Sequence, residues 1–190
     1  DWVSADRAVV SGNPTRRSLR EADPAAARAE LDLPEDARVL LVMGGSLGSA
    51  AINGAVEHHL EALLQGDDVY VVWQTGRRYY DSVADTIDDH PRLRVVKYID
   101  QMGAAYAASD LVVCRAGALT CSELLVTGTP AVLVPSPNVT ADHQTKNARS
   151  LERAGAALLL PEADLEARLA ETVTDLLDNA EARTRMAEAA

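Results

Sequence analysis

The sequence has little of what would place it in a membrane, in a secreted scaffold or on nucleic acid. Its apolar runs are short, with residues 131–134 and 156–160 among the longest. A membrane-spanning helix needs roughly 20 such residues in a row, so no segment is expected to cross a bilayer. Cysteine is scarce: the chain has Cys114 and Cys121 alone, with no second pair and no nearby histidine to complete a zinc set. They read as reduced thiols of a cytoplasmic protein. His58 and His59 are adjacent, so on a helix they point about 100° apart and could not chelate one ion from one face. Positive charge is in deficit, with 18 Lys and Arg against 29 Asp and Glu and a net charge of -11. That balance opposes non-specific binding to nucleic acid or anionic lipid, and any bound anion has to be held locally. The opening DWVSADRAVVSGNP lacks the basic stretch and apolar core of a secretory signal. It starts on Asp rather than Met, and the charged helix expected over NAEARTRMAEAA stops without a cap. Both ends are those expected of a fragment.

What is present is an alternation. At 47% hydrophobic over 190 residues, the chain can bury a sizeable core. Short β-branched runs at 8–10, 38–43, 69–74, 93–98, 111–114, 131–135 and 156–160 read as strands. Longer stretches with helical periodicity lie between them at 49–64, 78–88, 102–108, 119–127, 141–154 and 164–177, with a short alanine-rich helix at 22–29. The stripe Leu165, Leu169, Val173, Leu176 and Leu177 has the spacing of a helix docked on a sheet. Strands apolar on both faces and joined by crossover helices imply a doubly wound parallel α/β sheet, Rossmann-like. Residues 1–190 are expected to form one domain, with 1–20 carrying a linker segment and the first strand. There is no internal repeat. In such sheets ligands lie beyond the carboxyl ends of the strands, so the loops that follow strands carry the chemistry.

Four such loops stand out. Gly44-Gly45-Ser46-Leu47-Gly48 brings main chain close to a ligand and leads into a helix start that favours an anion. It is neither the dinucleotide fingerprint nor a P-loop, and a phosphate cradle and a plain tight turn are both open to it. In the second loop, Arg115 to Glu123, Gly117 and Ala118 break the strand and the amides of Leu119 and Thr120 fall in an exposed first helical turn. Glu123 lies three residues after Thr120, suited to a pair of sugar hydroxyls or else to a capping box with Thr120. The third, PSPNVTADHQTKN at 135–147, is stiffened by two prolines. Its Asp142, His143 and Gln144 are of the type that reads sugar hydroxyls, although Asp142 also fits a helix start and His143 a bare surface. In the fourth, Tyr98-Ile99-Asp100-Gln101-Met102, Asp100 suits a helix cap, and a loop of this kind can also present backbone N–H and C=O to a base edge, which these residues alone do not show.

In this order and spacing the loops resemble the carboxyl-terminal half of GT-B glycosyltransferases of family 28, UDP-GlcNAc-dependent transferases that make lipid II for peptidoglycan. The likeness runs from Ser11-Gly12-Asn13-Pro14-Thr15-Arg16 through the four loops to Ala148. It implies that Gly45, Ser46 and Gly48 meet the donor diphosphate with help from Arg16, and that the backbone of Ile99 reads the uracil edge. It implies helix-start contacts to phosphate from Gly117, Ala118, Leu119 and Thr120, and ribose hydroxyls held by Glu123. Gln144, with Asp142 nearby, is implied to contact the GlcNAc hydroxyls. Two positions depart from the family pattern, Leu47 and Thr145, where glutamine is common, and both bear on sugar selectivity. No cofactor and no metal are implied, and no Asp-x-Asp pair stands at a strand end. The general base, the lipid I pocket and the surface peripheral to the inner membrane face are implied to lie in an amino-terminal acceptor domain without counterpart here. Alternatives are another GT-B UDP-sugar enzyme, such as a lipid glycosyltransferase or a UDP-GlcNAc 2-epimerase, and a non-catalytic nucleotide-binding module. Against an NAD-type module, the second strand of the nucleotide fold ends Trp73-Gln74-Thr75-Gly76, without the acidic residue that such modules carry there.

Overall fold

The computed structural model describes residues 12–190. The strand expected at 8–10 lies outside the described residues. Six strands, β1 (Arg38–Met43), β2 (Val69–Gln74), β3 (Leu93–Val96), β4 (Leu111–Cys114), β5 (Ala131–Leu133) and β6 (Ala157–Leu159), form one sheet in the order β3-β2-β1-β4-β5-β6. Every pairing is parallel. The continuous apolar runs follow from burial on both faces. Along β1, Val39, Leu41 and Met43 enter one core cluster and Leu40 and Val42 the other, as the two-residue period of a strand requires.

Each core has its own helices. On the first lie α1 (Ser18–Glu21), α2 (Pro24–Glu30), α5 (Met102–Ala108), α6 (Ala118–Thr127) and α7 (His143–Ala154), through Leu19, Ala27, Tyr106, Leu124 and Leu151 among others. On the second lie α3 (Ala50–Leu63), α4 (Tyr80–Ala84) and α8 (Leu165–Asp178), with α9 (Ala180–Glu188) packed against it through Ala182 and Met186. All five residues of the α8 stripe are buried, each contributing about 1.5–3 kcal/mol of transfer free energy. His59 on α3 donates from Nε2 to the carbonyl of Glu166 at 2.7 Å, so one of the two adjacent histidines tethers α3 to α8.

Several boundaries differ from expectation. The helix expected over 78–88 shrinks to the five residues of α4. Its beginning is a turn in which the N–H groups of Tyr79 and Tyr80 donate to Gly76, and past Ala84 the Thr86 hydroxyl donates to the carbonyls of Ser82 and Val83, a local bond that competes with helix extension. β3 stops at Val96 because its ladder partner Gln74 is the last residue of β2. β5 and β6 are likewise shorter than expected. Gln101, not Asp100, occupies the cap position of α5, and no side chain caps that helix. α7 begins at His143, after a single turn in which Ala141 and Asp142 adopt left-handed φ values of 55° and 52°.

Candidate functional site

The strand order reverses between β1 and β4. The helix after β1 covers one face of the sheet and the helix after β4 covers the other, so the two loops diverge and open a crevice, the usual ligand position in a doubly wound sheet. The glycine loop forms one wall. Gly48 has φ +86°, and a Cβ there would stand 2.1 Å from the carbonyl oxygen of Thr75; a Cβ on Gly76 would stand 2.2 Å from the Gly48 nitrogen. Two backbones therefore touch where side chains cannot fit, which fixes the loop against the end of β2. Gly45, at φ +90°, has only open space beside it. The Gly48 N–H donates to the Gly45 carbonyl at 3.0 Å and the Arg77 N–H to the Ser46 carbonyl at 3.3 Å. The N–H groups of Gly45, Ser46 and Leu47 have no partner among the described residues. Ser46 and Leu47 are exposed.

The facing wall is the start of α6. Gly117 is its cap residue, with no side-chain cap bond, and the helix begins at Ala118, one residue earlier than expected. The N–H groups of Ala118, Leu119 and Thr120 are the orphan donors of the first turn, and the helix dipole favours an anion at this end. Thr120 is thus a third-position residue rather than a cap, which overturns the capping-box alternative. Glu123 instead accepts from the Tyr106 hydroxyl at 3.1 Å. Tyr106 is 1% exposed. Burial first, then the charges of Cys114 and Glu123, raises its phenol well above the ordinary range, so it remains a donor to the carboxylate. Asn13 reaches the same helix start, donating to the Ala118 carbonyl at 3.2 Å and the Ser122 hydroxyl at 2.8 Å.

Arg115 braces the crevice from beneath. It donates to the Ser49 hydroxyl at 2.6 Å and the Val134 carbonyl at 3.2 Å, and pairs with Glu162. Ser49 is itself the cap of α3, so one guanidinium ties together the ends of β4, β5 and the glycine loop. Asn147 donates to the Ala116 carbonyl at 3.0 Å and anchors α7 beside the same crevice. In the third loop Gln144 accepts from the Ser136 N–H at 2.9 Å. Asp142 is exposed and occupies the cap position of α7 without a side-chain cap bond, leaving its carboxylate open to solvent. His143 donates from Nδ1 to the Thr140 carbonyl at 2.8 Å; it holds the turn.

The fourth loop is joined to the first by a residue that sequence reasoning did not select. Gln74, the last residue of β2 and 3% exposed, accepts from the Ile99 N–H at 3.0 Å and donates to the Gly45 carbonyl at 3.1 Å. Arg16 is exposed and lines a cleft of about 390 Å³ together with Asp100, Gln101 and Met102. It stands beside the Ile99 loop, and no hydrogen bond between Arg16 and the glycine loop occurs among the described residues. The structure thus gathers the loops bearing Gly45, Ser46, Gly48, Ile99, Gly117, Ala118, Leu119, Thr120, Glu123 and Gln144 at the carboxyl end of the sheet, with Arg16 at its flank. Tyr106 and Gln74 were missed. The signal for Gln74 was a polar side chain closing the otherwise apolar run VYVVWQ.

This arrangement can hold an anion between two sets of free amides and a polyol at a fixed carboxylate. Residues 39–190 match the model of the glycosyltransferase family 28 C-terminal domain. Over its full length the chain is 74% identical to the UDP-N-acetylglucosamine--N-acetylmuramyl-(pentapeptide) pyrophosphoryl-undecaprenol N-acetylglucosamine transferase of Salinibacter ruber, covering 51% of that protein. The enzyme of the same name from Bacteroides thetaiotaomicron is 41% identical over 88% of this chain and 46% of its own length. The crystal structure of MurG from Acinetobacter baumannii superposes with a TM-score of 0.73 at 30% identity, over 93% of this chain and 52% of that one. The chain therefore spans about half the length of the curated relatives it matches.

Proposed function

The chain belongs to glycosyltransferase family 28, and from that premise we propose that it is the donor-binding half of an inverting transferase that passes GlcNAc from UDP-GlcNAc to undecaprenyl-pyrophosphoryl-MurNAc-pentapeptide. The observation that carries the reading is the crevice between β1 and β4, where the free N–H groups of the glycine loop face the start of α6 and Glu123 is held in place by Tyr106. In this reading the diphosphate lies between Ser46 and the first turn of α6. Glu123 accepts from the ribose hydroxyls, and the backbone at Ile99 meets the uracil. Gln144 turns from Ser136 to the GlcNAc hydroxyls, with Asp142 beside it, and Arg16 approaches the nucleotide from the flank.

The acceptor hydroxyl attacks the anomeric carbon from the face opposite the diphosphate. The new glycosidic bond forms as the bond to the β-phosphate oxygen breaks, the configuration inverts, and UDP leaves with the electron pair. Negative charge grows on the β-phosphate along this path. Amides fixed in advance around it stabilise the transition state more than the ground state, which permits departure without a resident metal. The proton of the acceptor hydroxyl requires a base within hydrogen-bond reach, which this proposal assigns to the amino-terminal part of the whole enzyme, together with the lipid I pocket and peripheral attachment to the cytoplasmic membrane face. Among the described residues no helix is long and apolar enough to cross a membrane. Alone, the chain binds donor and transfers little. Calorimetric titration with UDP-GlcNAc, UDP-glucose, GDP-mannose and NAD, repeated for Glu123→Ala, tests the proposal. Preference for the UDP-sugars, lost in the variant, is expected; equal binding of GDP- and UDP-sugars, or indifference to the substitution, overturns it.

A further inference from the structure

Gln74 has the properties of a working part. β2 lies between β3 and β1 in the sheet, and Gln74 ends it, level with Val96 on one side and Met43 on the other. Its side chain reaches the loop beyond each neighbour: the Ile99 N–H on the β3 side and the Gly45 carbonyl on the β1 side. A primary amide at 3% exposure is costly to bury unless both its ends are satisfied. Here both are, and both by loops that face the crevice. An apolar side chain at the end of this apolar strand would keep the core and lose both ties.

We propose that Gln74 is a positioning residue that sets the spacing between the base-reading backbone at Ile99 and the phosphate-facing glycine loop at Gly45. The inference rests on the donor-site reading and deepens it. With the amide in place, one rigid strand end fixes both loops, so a ligand that spans them meets contacts already in register and loses less entropy on binding. Without it each loop still forms, but their separation is no longer set. Ligands that engage both loops are then weakened more than ligands that engage one. The residue acts through Gly45 and Ile99 and touches no reacting atom.

Two substitutions separate this role from a purely structural one. Gln74→Met keeps the length and removes both bonds. Gln74→Glu keeps the acceptor toward Ile99, but when ionised it faces the Gly45 carbonyl with a second acceptor; once protonated it again has one donor and one acceptor. UDP-GlcNAc and uridine binding are measured by calorimetry across pH 5 to 8, with thermal melting as the fold control. UDP-GlcNAc carries a doubly esterified diphosphate, and neither that group nor the uracil N3–H titrates in this range. The expected result is about a tenfold weakening of UDP-GlcNAc by Gln74→Met at all pH values, with uridine changed less than threefold. Gln74→Glu is expected to lose affinity at high pH and recover it as pH falls. Unchanged UDP-GlcNAc binding by a folded Gln74→Met, or equal weakening of uridine and UDP-GlcNAc, overturns the proposal while leaving the donor site standing. Failure of the unaltered chain to bind UDP-GlcNAc removes the donor-site reading, and the proposal with it. Should Gln74→Met not fold, the pH profile of Gln74→Glu decides: recovery at low pH supports the role, and a flat profile refutes it.

Discussion

Replacing Tyr106 by Phe removes one oxygen and should alter ribose recognition about 17 residues away in the chain. The hydroxyl donates to Glu123 at 3.1 Å from a side chain that is 1% exposed. A hydrogen bond to a charged acceptor contributes about 1.5–3 kcal/mol, but Glu123 is only half-buried and water can take the vacated place. A net cost of about 1 kcal/mol follows, or a fall of about 2–4 °C in melting temperature for a chain of this size. The more telling effect is on discrimination. The unaltered chain should prefer UDP to its 2′-deoxy or 3′-deoxy analogue by about tenfold or more, the value of one carboxylate-accepted hydrogen bond. In Tyr106→Phe the carboxylate is no longer aimed, so UDP should bind about three- to fivefold more weakly while the deoxy analogue changes little. The deoxy penalty shrinks by the same factor, which is the coupling a double-mutant cycle reads. Calorimetric titration of both proteins with both ligands supplies the four numbers. A lowered melting temperature with an unchanged deoxy penalty would show that the bond serves the core alone and refute the positioning of Glu123.

Further outcomes follow from the same geometry. Gly48→Ala, whose Cβ would lie 2.1 Å from the Thr75 oxygen, should lose at least about 2 kcal/mol in denaturant unfolding. Gly45→Ala, with open space around it, should lose only the roughly 1–2 kcal/mol of a left-handed non-glycine residue; equal losses would contradict the packing of Gly48 on the end of β2. Arg115→Met leaves Glu162, Ser49 and Val134 without their shared partner and should destabilise by about 3 kcal/mol. Arg115→Lys should restore less than half of that, because an ammonium cannot span three acceptors. Burial raises the thiols of Cys114 and Cys121, the latter from 9.0 to about 11, and the Tyr106 phenol with them. Above pH 9 the unfolded chain therefore binds fewer protons than the folded one. Stability should fall with rising pH by up to about 1.4 kcal/mol per unit for each such group, as urea unfolding at pH 8 and pH 10 would reveal.

The strands were legible because burial on both faces leaves an unbroken apolar signature, as in RVLLVM of β1, and the α8 stripe because one docked face repeats at the helical period. Their ends were less so. Nothing local in residues 93–98 says that β2 runs out at Gln74 and takes the ladder with it, and the reduction of 78–88 to five helical residues goes with a turn onto the Gly76 carbonyl and the side-chain bonds of Thr86. The same division holds at the site. Loops whose chemistry is local, such as the glycine turn and the open start of α6, were visible as residue types at strand ends. Gln74 and Tyr106 were not, because what makes them matter lies 25 and 17 residues away. Glu123 shows both sides: its residue type marked it as a hydroxyl acceptor, while its partner proved to be a buried phenol rather than Thr120.

The proposed UDP-GlcNAc site is built from the loops at the carboxyl ends of β1, β3, β4 and β5, and residue-resolved amide chemical shifts during titration with UDP-GlcNAc test it most directly. Saturable shifts concentrated at Gly45, Ser46, Ile99, Ala118, Leu119 and Thr120, absent with GDP-mannose at the same concentration, are predicted. Shifts centred instead on the cleft between α2 and the start of α5, or no saturable shift at all, would contradict the account.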